Sequence, residues 1–276
     1  MTVIIPAFNS EETLARAVNS ALAQTRGDLE VIVVGDGSAV VASEGLAHIS
    51  DPWLRVIRHA ANEGAAAARN SALRAARTPL VSQLDSDDLW LPTYVERMVP
   101  LFNFPAVGLA YCNAYIDGGP AGLTHAHWPG ERHPIDTFPE LAKRNPITAC
   151  TVTMRTDAVK RAGGYLTKLG NAEDYYLYLR LAAMGWRFGY MPETLARYNW
   201  PTAERGQSFY KPKRDKNHLK MALTFSARHP RTRLPARVLG GLLARWLRHQ
   251  PGFRWIDGAR ARWLSGWEAS RGGRRV

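Results

Sequence analysis

Cysteine is almost missing from this chain of 276 residues, which holds only Cys112 and Cys150 in different segments. That excludes a disulfide-stapled scaffold and points to a reducing compartment. An uninterrupted apolar run of about 20 residues is also missing, so no transmembrane helix is expected. The chain opens directly on Thr2-Val3-Ile4-Ile5, with no basic stretch leading into a long apolar one. No signal peptide is therefore expected, and the expected location is cytoplasmic. The phosphate loop G-x-x-x-x-G-K-[ST] is absent, which excludes a P-loop enzyme. Gly35-Asp36-Gly37 only begins a dinucleotide fingerprint, because Val40 stands where the third glycine belongs.

What is present describes a globular chain with an unusual tail. Hydrophobic residues make up 46% and charged residues 22%, ordinary values for a protein with a large core. The length suits one large α/β domain with an appendage. Charge is unevenly placed. From Arg205 onward 18 Lys and Arg face only Asp215, Asp257 and Glu268, a balance of +15. The whole chain carries +12, so the first 204 residues are net negative at −3. Basicity thus belongs to the tail, which is expected to meet something anionic.

The most informative stretch is Leu80-Val81-Ser82-Gln83-Leu84-Asp85-Ser86-Asp87-Asp88. It reads as a buried strand ending in three carboxylates within four residues. Such a cluster repels itself unless positive charge sits among it, and hard oxygen ligands suit Mg²⁺ or Mn²⁺. The plain alternative is a turn or a cap for a helix starting near Pro92.

Upstream, Val3 to Pro6 reads as a strand ended by Pro6, and Asn9 or Ser10 is expected to cap the helix that follows. Leu14, Val18, Ala21 and Leu22 form that helix's apolar face. Leu29 to Val34 is a near-continuous apolar strand leading to Gly35-Asp36-Gly37-Ser38, and Leu54 to Ile57 is a third. Asn62-Glu63-Gly64 opens an alanine-rich helix over 65–76. Strand and helix alternating on short connections predict a doubly wound, mostly parallel sheet whose ligand sits at the strands' carboxyl ends. Those ends carry Ala7-Phe8-Asn9, the Asp36 turn and the Asp85 cluster.

The second half is less regular. Residues 107–112 and 148–154 read as strands, and 117–139 as a long loop. His125, His127 and His133 in that loop lack the acid or cysteine spacing of a metal site. Glu173-Asp174 opens a helix over 175–184, where acids also serve as ordinary dipole partners.

Taken in order, Ile4-Ile5-Pro6-Ala7-Phe8-Asn9, Val33-Val34-Gly35-Asp36-Gly37-Ser38, Asn62-Glu63-Gly64 with Ala68-Arg69-Asn70, Leu84-Asp85-Ser86-Asp87-Asp88, Gly163-Gly164-Tyr165 and Glu173-Asp174 resemble the family 2 glycosyltransferases. The resemblance spans roughly residues 1–200. It implies the GT-A fold, a Rossmann-like nucleotide-sugar-binding α/β fold with a mostly parallel sheet flanked by helices. A donor half over 1–105 and an acceptor half over 106–204 would precede a basic, mainly helical extension over 205–276.

The same resemblance implies the site. Pro6, Ala7, Phe8, Asn9, Asn62, Gly64, Arg69 and Ser86 would bind the nucleotide-sugar, with Asp36 accepting the N–H of a uracil base. A charge-assisted hydrogen bond of that kind is worth about 1.5–3 kcal/mol. Asp87, with Asp85, would hold Mn²⁺ or Mg²⁺ on the diphosphate, and Arg69 has a helix-surface ion pair as its alternative role. Asp174 would be the base of an inverting transfer, with Glu173, Gly163 and Gly164 on the acceptor side. Two features depart from the family pattern: Gly35 replaces an acid, and Tyr198-Asn199-Trp200-Pro201 lacks the usual metal-side histidine. The Q-x-x-R-W motif of processive synthases is absent, so one sugar per encounter is expected. The acceptor would be a glycan or a lipid-linked glycan in bacterial polysaccharide assembly. A non-catalytic module that keeps the fold and only binds nucleotide or glycan is the competing reading.

In the tail, Val238, Leu239, Leu242, Leu243, Trp246 and Leu247 share one helical face, with Arg237, Arg245 and Arg248 away from it and Trp255, Trp263 and Trp267 beyond. This suits an anionic membrane surface at the inner face of the cytoplasmic membrane. Packing on the main domain or on a second copy in a homo-oligomer is the alternative. Nucleic acid is a distant third partner, since no recognised binding module is present.

Overall fold

The computed structural model describes residues 1–38, 42–118, 138–143, 145, 147–200 and 211–250. Its first half alternates strictly: β1 (Thr2–Ala7), α1 (Leu14–Leu22), β2 (Glu30–Asp36), a short α2 (Ala42–Gly45), β3 (Leu54–His59), α3 (Ala65–Ala75) and β4 (Leu80–Gln83). There follow β5 (Leu89–Trp90), α4 (Tyr94–Met98), β6 (Val107–Asp117), α5 (Phe138–Lys143), β7 (Val152–Arg155), α6 (Thr156–Arg161), α7 (Glu173–Ala183) and β8 (Arg187–Asn199). The chain divides into two compact units, Met1–Phe209 and Tyr210–Val276.

One eight-stranded sheet runs in the order β3-β2-β1-β4-β7-β6-β8-β5. The first four strands are parallel, while β7 is antiparallel to both β4 and β6. Val3, Ile4, Ile5, Val31, Ile32, Val33 and Val34 are all fully buried, as strands covered on both faces require. Helix α1 closes one face with Leu14, Ala17, Val18 and Ala21. On the same side of the core Trp90 stacks on Tyr94 at 3.9 Å and donates its indole N–H to the Cys150 carbonyl at 2.7 Å. Both cysteines are buried and unbridged, and burial pushes both thiols far above their usual range.

The structure corrects three local expectations. Pro6 does not end β1, because the strand continues to Ala7 and Pro6 pairs with Val34. The Ile4 carbonyl accepts from Leu84 just beyond β4, and Pro6 shares Ile4's orientation two residues on. It therefore faces a place where β4 has already ended, and its missing N–H costs no ladder bond. Neither Asn9 nor Ser10 caps α1 through its side chain. Asn9 is left-handed at φ 47° and gives its N–H to Ser38 Oγ at 3.0 Å, so it closes the turn above β2 instead. Helix α7 begins at Glu173, two residues before the expected start at Tyr175, so Glu173 and Asp174 form its first turn.

The long pairing of β6 with β8 has shifts in register between Cys112 and Asn113 and again before Ala114, and it carries Asn199 to the same sheet end as Ala7 and Asp36. Of the expected loop over 117–139, Asp117 ends β6 and Phe138 opens α5, while residues 119–137 lie outside the described residues. His125, His127 and His133 lie outside the described residues, as do Trp255, Trp263 and Trp267.

The second unit contains α8 (Lys211–Arg228) and α9 (Ala236–Leu247), which pack against each other. Asp215 of α8 is 3.1 Å from His249 just past α9. Leu242 is buried, Val238, Leu239, Trp246 and Leu247 are half-buried, and Leu243 is exposed. The apolar face of α9 is thus partly spent on α8. Among the described residues no helix is long and apolar enough to cross a membrane.

Candidate active site

At the carboxyl ends of β1, β2 and β4 lies a cleft of about 280 Å³. Pro6, Ala7 and Phe8 leave β1 as one wall, and Asp36 lies at the end of β2. Asn62, Gly64 and Arg69 come from the approach to α3 and its first turns. Asp85, Ser86 and Asp87 follow β4, and Glu173 opens α7 from across the cleft. Phe8 is 48% exposed, so a flat aromatic face is presented where a planar base could stack. Ala65, Asn171, Tyr198 and Asn199 also line the cleft, and motif reading had not singled them out as site residues. Asn9, Gly163, Gly164 and Asp174 were expected at the site but do not line this cleft.

Asp36 is 2% exposed and heavily engaged. Its Oδ1 takes the N–H of Glu63 at 3.0 Å and lies 2.7 Å from His59 Nδ1, while Oδ2 takes the N–H of Gly64 at 2.8 Å. The turn beyond is tight. A side chain on Gly37, at φ 73°, would come within 2.4 Å of the Ala61 carbonyl carbon. Gly35, which replaces the family's first acid, faces Ala42, whose Cβ would lie 3.1 Å from any Cβ added there.

Arg69 is not a helix-surface residue. It is 5% exposed and bridges two acids, with Nη2 to Asp85 Oδ1 at 2.5 Å and Nη1 to Glu173 Oε1 at 2.7 Å. Burial opposes its charge, but the two carboxylates outweigh burial and hold the guanidinium firmly protonated. Through Arg69 of α3 the end of β4 is tied to the start of α7, and the Arg69–Glu173 link alone spans 104 residues of sequence. Beneath it Gln83 donates to Tyr178 at 2.6 Å and accepts from Tyr165 at 2.7 Å, fixing the floor.

The three aspartates after β4 have separate surroundings. Asp87 projects into the cleft, where loss of solvation and the Asp85 charge raise it to about 6. Asp88 points inward at 1% exposure and accepts the Asn199 N–H at 2.8 Å. Burial, with Asp85 and Asp87 adding to it, pushes Asp88 well above the carboxylate range. It therefore latches β8 to the site and leaves the cleft to Asp85 and Asp87. Asp174, one residue past Glu173, is half-buried and accepts the Tyr175 N–H at 2.6 Å. Burial and then the Glu173 charge raise it to about 7.

The lining therefore holds Asp36, Asp85, Asp87 and Glu173 against Arg69 as its one cation among the described residues. A diphosphate entering such a cleft needs a counter-charge. No group of three or more His, Cys, Asp or Glu forms a metal cage among the described residues. Mg²⁺ and Mn²⁺ do not require one, since one or two carboxylates plus ligand phosphates and water suffice. Asp85 and Asp87 fit that donor set.

Gly163 and Gly164 have a role in holding the structure together. Both end α6 with positive φ, and Gly164 packs so tightly that a Cβ would sit 2.5 Å from Asn70 Oδ1. The same Asn70 donates to the Tyr165 carbonyl at 2.7 Å and accepts the Tyr165 N–H at 2.9 Å.

A mixed sheet with its carboxylate-lined cleft at the strand ends is the arrangement of the GT-A glycosyltransferases. Among solved structures, a mannosyltransferase from Pyrobaculum calidifontis, in complex with GDP-Man and Mn²⁺, superposes with TM-score 0.68 at 21% identity, covering 100% of this chain and 76% of that one. The S. aureus TarS fragment in complex with UDP-GlcNAc also reaches 0.68, at 19% identity, covering 90% and 73% of the two chains. The chain belongs to Glycosyl transferase family 2, whose profile matches residues 2–161. A curated relative, the Escherichia coli UDP-Glc:alpha-D-GlcNAc-diphosphoundecaprenol beta-1,3-glucosyltransferase WfaP, is 30% identical over 186 residues, 67% of this chain and 71% of that protein.

Proposed function

We propose that this family 2 glycosyltransferase moves one sugar, with inversion, from a UDP-sugar to the hydroxyl of a lipid-linked glycan in bacterial polysaccharide assembly. The observation that carries the reading is the excess of carboxylates in a cleft that also offers Phe8 and Asp36 to a nucleotide base. UDP is favoured over GDP because Phe8 and Asp36 match the family's uridine-binding positions and because WfaP, by its name, uses UDP-Glc. The lipid-linked acceptor rests on that same name, which specifies a diphosphoundecaprenol acceptor.

In this reading Asp87 would be the direct ligand of Mn²⁺ or Mg²⁺, and Asp85 would face the ribose or the metal's waters. Such an ion would supply positive charge against the departing diphosphate. Arg69 keeps Asp85 aligned, and Phe8 with Asp36 holds the base. Asp174 takes the proton from the acceptor hydroxyl. A carboxyl poised near 7 suits that task, and Asp174 is not committed to Arg69 as Glu173 is. Glu173, Gly163 and Gly164 build the acceptor side by fixing the start of α7 and the turn before it. The basic second unit brings the enzyme to the anionic inner face of the cytoplasmic membrane, where a lipid-linked acceptor resides.

Titration calorimetry with UDP, and GDP as control, in Mn²⁺ and then in EDTA tests the donor site. UDP binding that needs Mn²⁺ and is lost in Asp87→Ala is the expected result. Binding of neither nucleotide to the wild type would sink the reading.

A further inference from the structure

Asp36 is the least exposed carboxylate of the cleft, and its acceptor positions can be accounted for one by one. Each carboxylate oxygen offers about two. Oδ1 spends both, on the Glu63 N–H at 3.0 Å and on His59 Nδ1 at 2.7 Å. Oδ2 spends one, on the Gly64 N–H at 2.8 Å, and keeps one. His59 is itself enclosed, with its side chain 9% exposed. Its Nε2 lies 2.8 Å from Ser71 Oγ, which accepts from Arg74 Nη2 at 2.7 Å. Ser71 Oγ already accepts a hydrogen bond from Arg74, so its own hydroxyl is free to donate to Nε2. That leaves the ring proton on Nδ1, aimed at Asp36. The opposite tautomer would set a bare ring nitrogen against a carboxylate oxygen at 2.7 Å, two acceptors in contact.

We infer that His59 is a positioning residue for nucleobase selection. Held with its proton on Nδ1 by Ser71, it fills Oδ1 of Asp36 and leaves a single acceptor, on Oδ2, for one N–H of the donor's base. The inference rests on the UDP reading above, in which Asp36 meets uracil. It extends that reading from the carboxylate to the chain Arg74–Ser71–His59–Asp36, which orients the carboxylate as an acceptor towards the base. Uracil presents N–H at ring position N3, whereas cytosine presents a bare acceptor there. A carboxylate held as an acceptor therefore takes UDP and rejects CDP.

The test is calorimetric titration of UDP, CDP and N3-methyl-UDP in Mn²⁺ against the wild type, His59→Leu and His59→Asn. The wild type is expected to prefer UDP to either analogue by roughly tenfold or more, the worth of a charge-assisted hydrogen bond. Leu removes the donor on Oδ1. Oδ1 then has an open acceptor and the carboxylate is no longer held in one orientation, so the hydrogen bond to uracil N3–H that sets UDP above CDP weakens. The UDP/CDP ratio should fall towards one in His59→Leu and recover in His59→Asn, whose amide N–H can replace Nδ1–H. A wild type that discriminates, with an equal ratio in His59→Leu, overturns the inference alone. A wild type indifferent to all three nucleotides overturns the reading of Asp36 beneath it. Nitrogen-15 NMR of the wild-type imidazole gives an answer that needs no variant to fold. A protonated Nδ1 is expected, and a bare Nδ1 sinks the proposal.

Discussion

At the scale of single residues, environment assigns the acids of this site to different tasks. Glu173 and Asp174 are adjacent in sequence, yet one is clamped by Arg69 and the other is not. Asp174 sits at about 7 instead of the usual 3.8, so at pH 6 it is mostly protonated and cannot accept a proton. The rate at saturating donor should rise with pH through about 7 and level off above it. Asp174→Asn should lower kcat at pH 8 by ~10²–10⁴-fold and flatten that limb, which a radiolabelled sugar-transfer assay across pH would record. Stability should run the other way. The folded state binds this proton more tightly than the unfolded chain, so stability is lost as pH rises from about 4 to 7. The ligand-free protein should melt higher at pH 5 than at pH 8, and Asp174→Asn should shrink that difference. Arg69 shows where residue-scale reading of sequence stops. Its position in an alanine-rich helix suggests solvent, and only the arrival of Asp85 and Glu173 from distant elements makes it a buried bridge.

At the scale of elements, the first half of the chain was legible because β1 and β2 are near-continuously apolar and its helices begin where the polar turns end. Three strand ends with polar residues were enough to locate the cleft. The partnership of β6 with β8 was not legible, since register across about 80 residues depends on packing that no local pattern encodes. Asn199 and Tyr198 entered the site for that reason, and Asp88 emerged as the latch that holds β8 there. The two-residue β5 is too short for any periodic signal. The Gly163-Gly164 motif was legible as a motif but not as a joint. Its function as a joint depends on Asn70, which staples α3 to the turn after α6 through both polar groups of Tyr165. Asn70→Ala leaves those backbone groups buried without partners, at roughly 1–3 kcal/mol each. Urea unfolding should show a loss of that order, with Asn70→Asp, which keeps only the acceptor, falling in between.

At the scale of the molecule, charge is divided between the units, with −3 over the first 204 residues and +15 beyond. An acidic catalytic body and a basic appendage suit an enzyme whose donor is drawn from water and whose acceptor is embedded in an anionic surface. Arg237, Arg245 and Arg248 are exposed on the α9 unit, and Leu223 and Leu243 are exposed apolar residues of the same unit. Replacing the three arginines by glutamate in the full chain should abolish sedimentation with phosphatidylglycerol vesicles at 0.1 M salt while UDP binding is unchanged. Equal sedimentation of the two proteins would count against the membrane role. The two cysteines have a practical consequence of their own. Cys112 and Cys150 are sealed in the core with thiols that resist ionisation, so neither is open to alkylating reagents while the fold is intact. The native chain thus supplies a silent background for labelling. A single cysteine introduced on the cleft rim or on α9 would carry a dye alone, and each catalytic encounter with vesicle or nucleotide could be followed one molecule at a time.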